Sequence, residues 1–286
     1  MMRFFKIIIF TIILFSGNEI LNKDQANAAC ALTGGVLSVV EIDGGGCETA
    51  PDEYEITIYS LYLCTSAPTA PTTTDVADLD AGGCVLTFEN SSGSTVSVSE
   101  GGSAELDGTF TRPPNDTYTH GYAKMNNTFG ITAQLELDGN KDGHTGGTGR
   151  FCSTVSGTGT HQQSSTHSSS SVCGATPTTA GKFVETLNHF GGVGDPFTSA
   201  DTANNVNGTS ASITGILVDT NEHQATTEGE VVRLHGLITF ADSVTFTEST
   251  SQVDLSFNVG EGMSFNDAGG NLQMGSGPFQ AIIRVE

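Results

Sequence analysis

The sequence predicts an all-β protein built from antiparallel β-sandwich units, jelly-roll or immunoglobulin-like, with loops stapled by disulfides. Three observations predict it. Gly, Thr and Ser number 36, 38 and 27 among 286 residues, a load of turn formers and β-branched side chains that disfavours long helices. Apolar and polar residues alternate over short, regularly spaced runs. The chain has six cysteines, an even number, and all of them follow a leader-like N-terminus.

That N-terminus comes first in the chain. Arg3 and Lys6 head an apolar run from Ile7 to Phe15, and Ala26-Asn27-Ala28 supplies the small residues a signal peptidase reads. Residues 1–28 are expected to be a secretory signal peptide, so the mature protein is expected outside the cytoplasm: extracellular, on the cell surface or in the periplasm. The apolar run is too short to span a bilayer, and no later stretch is longer, so no transmembrane segment is expected. A rival reading makes Cys30 the acylated residue of a lipoprotein, since Ala28 and Ala29 suit the two positions before it, although Asn27 stands where Leu is expected.

The cysteines are expected to form structural disulfides. Nearest-neighbour pairing would join Cys30 to Cys47, Cys64 to Cys84, and Cys152 to Cys173, closing loops of similar length worth about 3 kcal/mol each. Other connectivities stay open on sequence alone. No Cys-x-x-Cys pair and no Cys/His cluster at zinc spacing occurs, which argues against redox catalysis and a structural zinc site.

Strands follow in order at Val36–Ile42, Glu55–Cys64, Val85–Glu89, Thr95–Ser99, Thr117–Met125 and Gly130–Leu137. Gly44-Gly45-Gly46, Asn90-Ser91-Ser92-Gly93 and Pro113-Pro114-Asn115-Asp116 are expected as the turns between them. One helix is expected, Lys182 to Phe190, on the spacing of Phe183, Leu187 and Phe190. In the last third, Leu234, Ile238 and Phe240 alternate with Arg233, His235 and Thr239, and Val244-Thr245-Phe246 opens a further run. Val253, Leu255, Phe257 and Val259 form the clearest alternation, and Phe279, Ala281, Ile283 and Val285 close the chain.

Residues 29–150 and 181–286 are each long enough for one small sandwich. The Ser/Thr-rich stretch 151–180 between them is expected as a linker or, if Cys152 pairs with Cys173, as a stapled loop.

Function classes are narrowed by charge. Ten Lys and Arg against 32 Asp and Glu leave a net charge of −22, which repels phosphate backbones and anionic membranes, so no nucleic-acid partner is expected. No G-x-S-x-G or H-E-x-x-H occurs, and Gly181-Lys182 fails as a phosphate loop because Thr176 replaces the leading glycine and Phe183 the hydroxyl residue. No enzymatic activity is expected.

The strongest local motif is Asp138-Gly139-Asn140-Lys141-Asp142-Gly143, which follows the D-x-N-x-D-G pattern of calcium loops. Asp138, Asn140 and Asp142 would offer hard oxygens to a structural calcium ion, and Gly143 would make the sharp turn. Gly149 replaces the closing Glu of the helix-loop-helix motif. The plain alternative is an Asp/Asn/Gly hairpin with Lys141 exposed.

Tyr118, His120 and Tyr122 share one face of a strand, and could bind sugar rings or simply cover the sandwich. Glu48, Asp52 and Glu53, and likewise Asp75, Asp78 and Asp80, read as cation-attracting clusters or as solvated turns.

These readings converge on an exported, bacterial cell-surface structural protein, a filament or extracellular-matrix subunit whose partner is a second copy of itself. Val36, Val39, Val40 and Ile42 would then either complete a neighbour's sheet or form the first strand of their own. The alternative is a secreted adhesive or carbohydrate-binding sandwich, braced by calcium and recognising surface glycans.

Overall fold

The computed structural model describes residues 29–99, 104–161, 170–190, 195–202, 212–250 and 253–285. The expected signal peptide, 1–28, lies outside the described residues. The first strands are β1 (Leu32–Thr33) and β2 (Val36–Leu37), followed by a short helix, α1 (Val39–Asp43). Next come β3 (Cys47–Thr49), β4 (Glu53–Cys64), β5 (Cys84–Val98), β6 (Thr109–Phe110), β7 (Thr117–Met125), β8 (Thr128–Thr132) and β9 (Gln134–Gly143). The middle of the chain holds β10 (Thr148–Thr154), β11 (Gly157–His161), β12 (Ser171–Gly174) and β13 (Phe183–Leu187). The remainder is β14 (Thr198–Thr202), β15 (Ser212–Val218), β16 (Arg233–Thr245), β17 (Val253–Asn258), β18 (Met263–Ala268), β19 (Asn271–Ser276) and β20 (Gln280–Val285).

Two large sheets pack together as a sandwich. The first follows the order β1-β2-β9-β19-β18-β3, with β10 beside β9 and β12 beside β10. The second runs β11-β13-β8-β4-β7-β16-β15-β14, with β5 on β4 and β6 on β5. β17 and β20 form a separate ribbon. Pairing is antiparallel except at β11–β13, β19–β9 and β2–β9. One core lies between the sheets, where Leu37, Leu137, Phe265, Leu272 and Met274 meet Tyr54, Ile56, Ile58, Met125, Phe129 and Ile131. A smaller cluster gathers Leu63, Tyr118, Val244 and Phe246.

Strands from the two stretches expected as separate sandwiches share both sheets. β7 pairs with β16, β8 with β13, and β9 with β19. The 151–180 stretch contributes β11, β12 and most of β10. Alternation predicts that a strand has a buried face, but not which strand lies beside it.

The nearest-neighbour disulfides are all present: Cys30–Cys47, Cys64–Cys84 and Cys152–Cys173. Cys30 therefore has no thiol free for acylation. Among the described residues no helix is long and apolar enough to cross a membrane.

Three local expectations are corrected. The segment 182–190 is not a helix: Phe183 and Glu185 alternate inward on β13, which pairs with β8 and β11. Here the tertiary pairing overrides a helical spacing carried by only three residues. Asn90–Gly93 is no hairpin, because β5 runs through it as a bulge opposite Tyr59, the register passing from Ile58↔Ser94 to Ser60↔Glu89. Gly93 sits at φ 84°, and a Cβ there would lie 2.6 Å from Thr57.

Finally, the strand expected over Val36–Ile42 ends at Leu37 and turns into α1. The Val39 N–H, first in the helix, donates to Asp138 Oδ1 at 2.8 Å, so a carboxylate from β9 satisfies the helix start. Val36 and Leu37 pair with Glu136 and Leu137 of the chain's own β9, which places this segment in its own sheet.

Candidate functional site

The expected calcium segment is an extended strand. Asp138, Asn140 and Asp142 all lie on β9, exposed, on one side of a run that continues unbroken to Gly143. Alternate residues of a strand stand about 6.5–7 Å apart, so the three side chains form a row and do not curl round one point. Asp138 holds the start of α1, and Asp142 Oδ1 accepts the Thr148 hydroxyl across the β9–β10 hairpin. Gly143 stands at the β9–β10 turn, where its N–H donates to the Gly147 carbonyl at 2.9 Å.

Lys141, expected in solvent, is the buried member of the motif. Its side chain is 7% exposed, and Nζ meets Asp43 Oδ1 at 2.5 Å and Asp267 Oδ1. Asp43 ends α1 and is half exposed, while Asp267 is the penultimate residue of β18 and is 26% exposed. Burial opposes the charge on Lys141, yet hydrogen bonds to Asp267 and Asp43, and their charges, raise its pKa above the ordinary lysine value. The hydrogen bond from Lys141 in turn lowers the pKa of Asp267.

The aromatic row on β7 is covered. Tyr118 and Tyr122 are each 1% exposed. The Tyr118 hydroxyl donates to the Pro114 carbonyl at 3.0 Å, its ring meets Phe246 edge-on, and His120 Nδ1 pairs with the Thr119 hydroxyl at 2.8 Å. The three side chains therefore offer no open platform to a sugar.

Tyr122 leads instead to a cluster that the sequence did not suggest. Its hydroxyl is 2.7 Å from Nδ1 of His235 on β16, a residue 1% exposed. His235 lies on the strand face opposite Leu234, which packs into the main core. Its Nε2 is buried with no hydrogen-bond partner. Beside it Lys124 pairs with Glu222 at 2.6 Å, and the Arg233 guanidinium stands 3.7 Å from the centre of the Tyr59 ring. Burial, reinforced by Lys124 and Arg233 and opposed by Glu222, pushes the His235 pKa down to about 4. The imidazole is neutral at physiological pH. Burial also pushes the Tyr122 hydroxyl far up, so it stays protonated.

A third buried group is Glu185 on β13. It is fully buried, and its Oε2 accepts the Ser276 N–H at 2.6 Å and the Ser276 hydroxyl at 2.5 Å, while Oε1 lies 4.0 Å from His161 Nδ1. In the Ser-His-acid arrangement the imidazole stands between hydroxyl and acid. Here the carboxylate stands between the two, so the arrangement holds Ser276 in place without activating it.

Three acids of the two clusters accept hydrogen bonds, Asp52 from β9 and Asp75 and Asp78 within their own turns. Asp52 accepts the Gln134 N–H, Asp75 accepts the hydroxyls of Thr72 and Thr74, and Asp78 accepts the Ala81 N–H. Among the described residues no three His, Cys, Asp or Glu side chains converge as a metal site.

No family model, curated protein or solved structure matches this chain. The functional reading therefore rests on these clusters alone. The only trace of them in the sequence was polar residues at inward positions of alternating runs: Glu185 between Phe183 and Leu187, and Lys141 four residues after Leu137.

Proposed function

We propose that the protein is an exported structural subunit of a bacterial surface, a filament or matrix component that associates with copies of itself and turns over no substrate. One observation carries this reading. Side chains capable of chemistry are tied into contacts between distant parts of the chain: Lys141 to Asp43 and Asp267, Tyr122 to His235, and Glu185 to Ser276, over sequence separations of 98, 126, 113 and 91. Such ties suit a particle that must persist. The three disulfides fit an oxidising, non-cytoplasmic setting, where no repair by reduction is needed.

Negative-stain electron microscopy of the oxidised protein from residue 29 onward, in high-salt buffer, tests the proposal. Filaments or sheets are the expected result. Monodisperse single particles at every concentration would overturn it.

A second reading, a glycan-binding module, draws on half-buried Tyr59 and Tyr62 and on Arg233 stacked over Tyr59. A polysaccharide pull-down distinguishes it: retention abolished by Tyr59→Ala would favour binding over assembly.

A further inference from the structure

We infer that Lys141 and Asp267 condense into an intramolecular amide, with Asp43 as the proton carrier, so that a covalent bond joins β9 to the β18–β19 hairpin. The geometry brings together the parts this reaction needs. An amine and a carboxyl group, 126 residues apart in sequence, are in direct contact, and the amine's side chain is nearly out of water. Asp267 is held from its other side too, because Oδ2 accepts the Gly270 N–H at 3.1 Å across the hairpin turn. The carboxyl carbon is thereby kept beside Nζ. A second carboxylate, Asp43, touches the same nitrogen at 2.5 Å and is half exposed, which opens a path for water to leave.

The step balances. Asp43 takes one proton from the Lys141 ammonium and leaves a neutral amine with a free electron pair. That pair attacks the Asp267 carboxyl carbon, forming the C–N bond. Asp43 returns its proton to one of the two Asp267 oxygens, a second proton passes from nitrogen to the same oxygen, and the C–O bond breaks to release water. The products are a neutral amide, one water and the original Asp43 carboxylate. The charge of the group is unchanged, and no oxidant or activating co-reactant is required.

The paired ammonium is the resting state, so the neutral amine is a minor species. This slows the reaction without preventing it, since each molecule reacts once and holding the partners in contact raises their effective concentration by many orders of magnitude. Asp267 is assigned as the bonded partner because it is the less exposed of the two acids and is fixed at both oxygens. Asp43, at the end of a short helix and open to water, suits transient proton carriage. The bond would resist reducing conditions that open the disulfides on either side of it, Cys30–Cys47 and Cys152–Cys173. Its chemistry does not depend on self-assembly, so either proposal can fail alone.

Intact mass of the folded protein, measured after full reduction and denaturation, reads the bond directly. The expected mass is one water below that of the cleaved, reduced sequence, with a branched proteolytic peptide joining the Lys141 and Asp267 segments. A succinimide at Asp43-Gly44, Asp107-Gly108, Asp138-Gly139 or Asp142-Gly143 also loses one water. Hydroxylamine opens a succinimide and leaves an amide intact, so the deficit should survive that treatment.

Lys141→Arg keeps the positive charge and should restore the full mass, with circular dichroism confirming that the variant folds. Asp43→Ala should slow or abolish the loss of water. A full mass in the folded wild-type protein, with only linear peptides, would overturn the inference. A branched peptide ending at Asp43 would overturn the assignment to Asp267, and unchanged bond formation in Asp43→Ala would overturn the proton carrier.

Discussion

Lys141 and His235 are both basic side chains taken almost out of water, one in the eight-stranded sheet and one on the ten-stranded sheet, and they end in opposite charge states. As a free amine, before any condensation with Asp267, the lysine is held charged; the histidine is held neutral. Burial acts in the same direction on both, since it always disfavours the cation. What differs is the company. Lys141 touches two carboxylates that pair with no other cation among the described residues, whereas the charges acting on His235 are Lys124, Arg233 and a Glu222 already paired with Lys124. Burial is the largest single influence on both groups: at His235 it prevails, and at Lys141 only the two carboxylates together outweigh it.

The largest expected effect lies on the neutral side of this comparison. His235 has an ordinary value of 6.5 when the chain is unfolded and about 4 when it is folded. The unfolded chain therefore binds a proton first as pH falls, so the stabilisation is complete above 6.5 and is lost between 6.5 and 4. The loss is on the order of 3 kcal/mol by linkage. Urea melts of wild type and His235→Gln at pH 7, 5.5 and 4.5 isolate this residue, because the other histidines titrate in both proteins. The stability gap between the two should shrink as pH falls. A gap that stays constant would mean that His235 is not held neutral.

Next comes the charged side. Relative to the uncondensed ion pair, Lys141→Met leaves Asp43 and Asp267 facing each other without a cation, and their partial exposure keeps the cost at about 2 kcal/mol, below that of a fully buried pair. Removing both carboxylates as well, in a triple variant, should recover most of the loss. If it does not, the lysine contributes by packing and the comparison fails. In molecules where the amine has not condensed, the pH dependence has the opposite sense to that of His235: the Lys141 pKa is raised, so its ion-pair contribution persists through neutral pH and is lost only at alkaline pH.

The two clusters also mark how far the sequence could be read. Alternation located β7 at the residues observed, Thr117–Met125, because a strand with one buried face writes its period locally, and the alternation read from Val253 to Val259 falls on β17, Val253–Asn258. Nearest-neighbour pairing, one of the connectivities the sequence left open, is the one observed for the three disulfides. What failed was everything fixed by a distant partner. Lys141 was read as exposed because its carboxylates lie 98 and 126 residues away. The Asp138 motif was read as a calcium loop or a plain hairpin, and its hydrogen bond from Val39 could not be read from the local pattern. The helix at 182–190 rested on three aromatic and aliphatic positions. The same segment, with Phe183, Glu185 and Leu187 in alternation, is a strand once β8 and β11 lie beside it. A fully buried glutamate cannot be foreseen without Ser276, from the far end of the chain.

A smaller effect tests the inner contact of the neutral cluster. Tyr122→Phe removes the hydroxyl paired with His235 Nδ1 and leaves the ring in its edge-on contacts with His235 and Tyr62. Both imidazole nitrogens would then be buried without a partner, at a cost of about 1 kcal/mol at pH 7, measured by urea melts. No change would mean that the hydrogen bond is offset by desolvation of the hydroxyl.

The smallest change in stability carries the sharpest test of the opening comparison. Lys124 and Glu222 form a partly exposed ion pair, with side chains 20% and 43% accessible, so Lys124→Met should cost only about 0.5 kcal/mol at pH 7. Its effect on His235 should be plain nonetheless. The substitution removes a cation that pushes the imidazole pKa down, and it frees Glu222, which pushes the pKa up. Both changes move His235 in one direction, towards its ordinary value, while its burial hardly alters. An NMR titration of the His235 ring should therefore find a pKa clearly above about 4 in Lys124→Met. A pKa that stays where it was would show that burial alone sets the charge state of this histidine, and the contrast with Lys141 would then reduce to the presence of two carboxylates in contact with one amine.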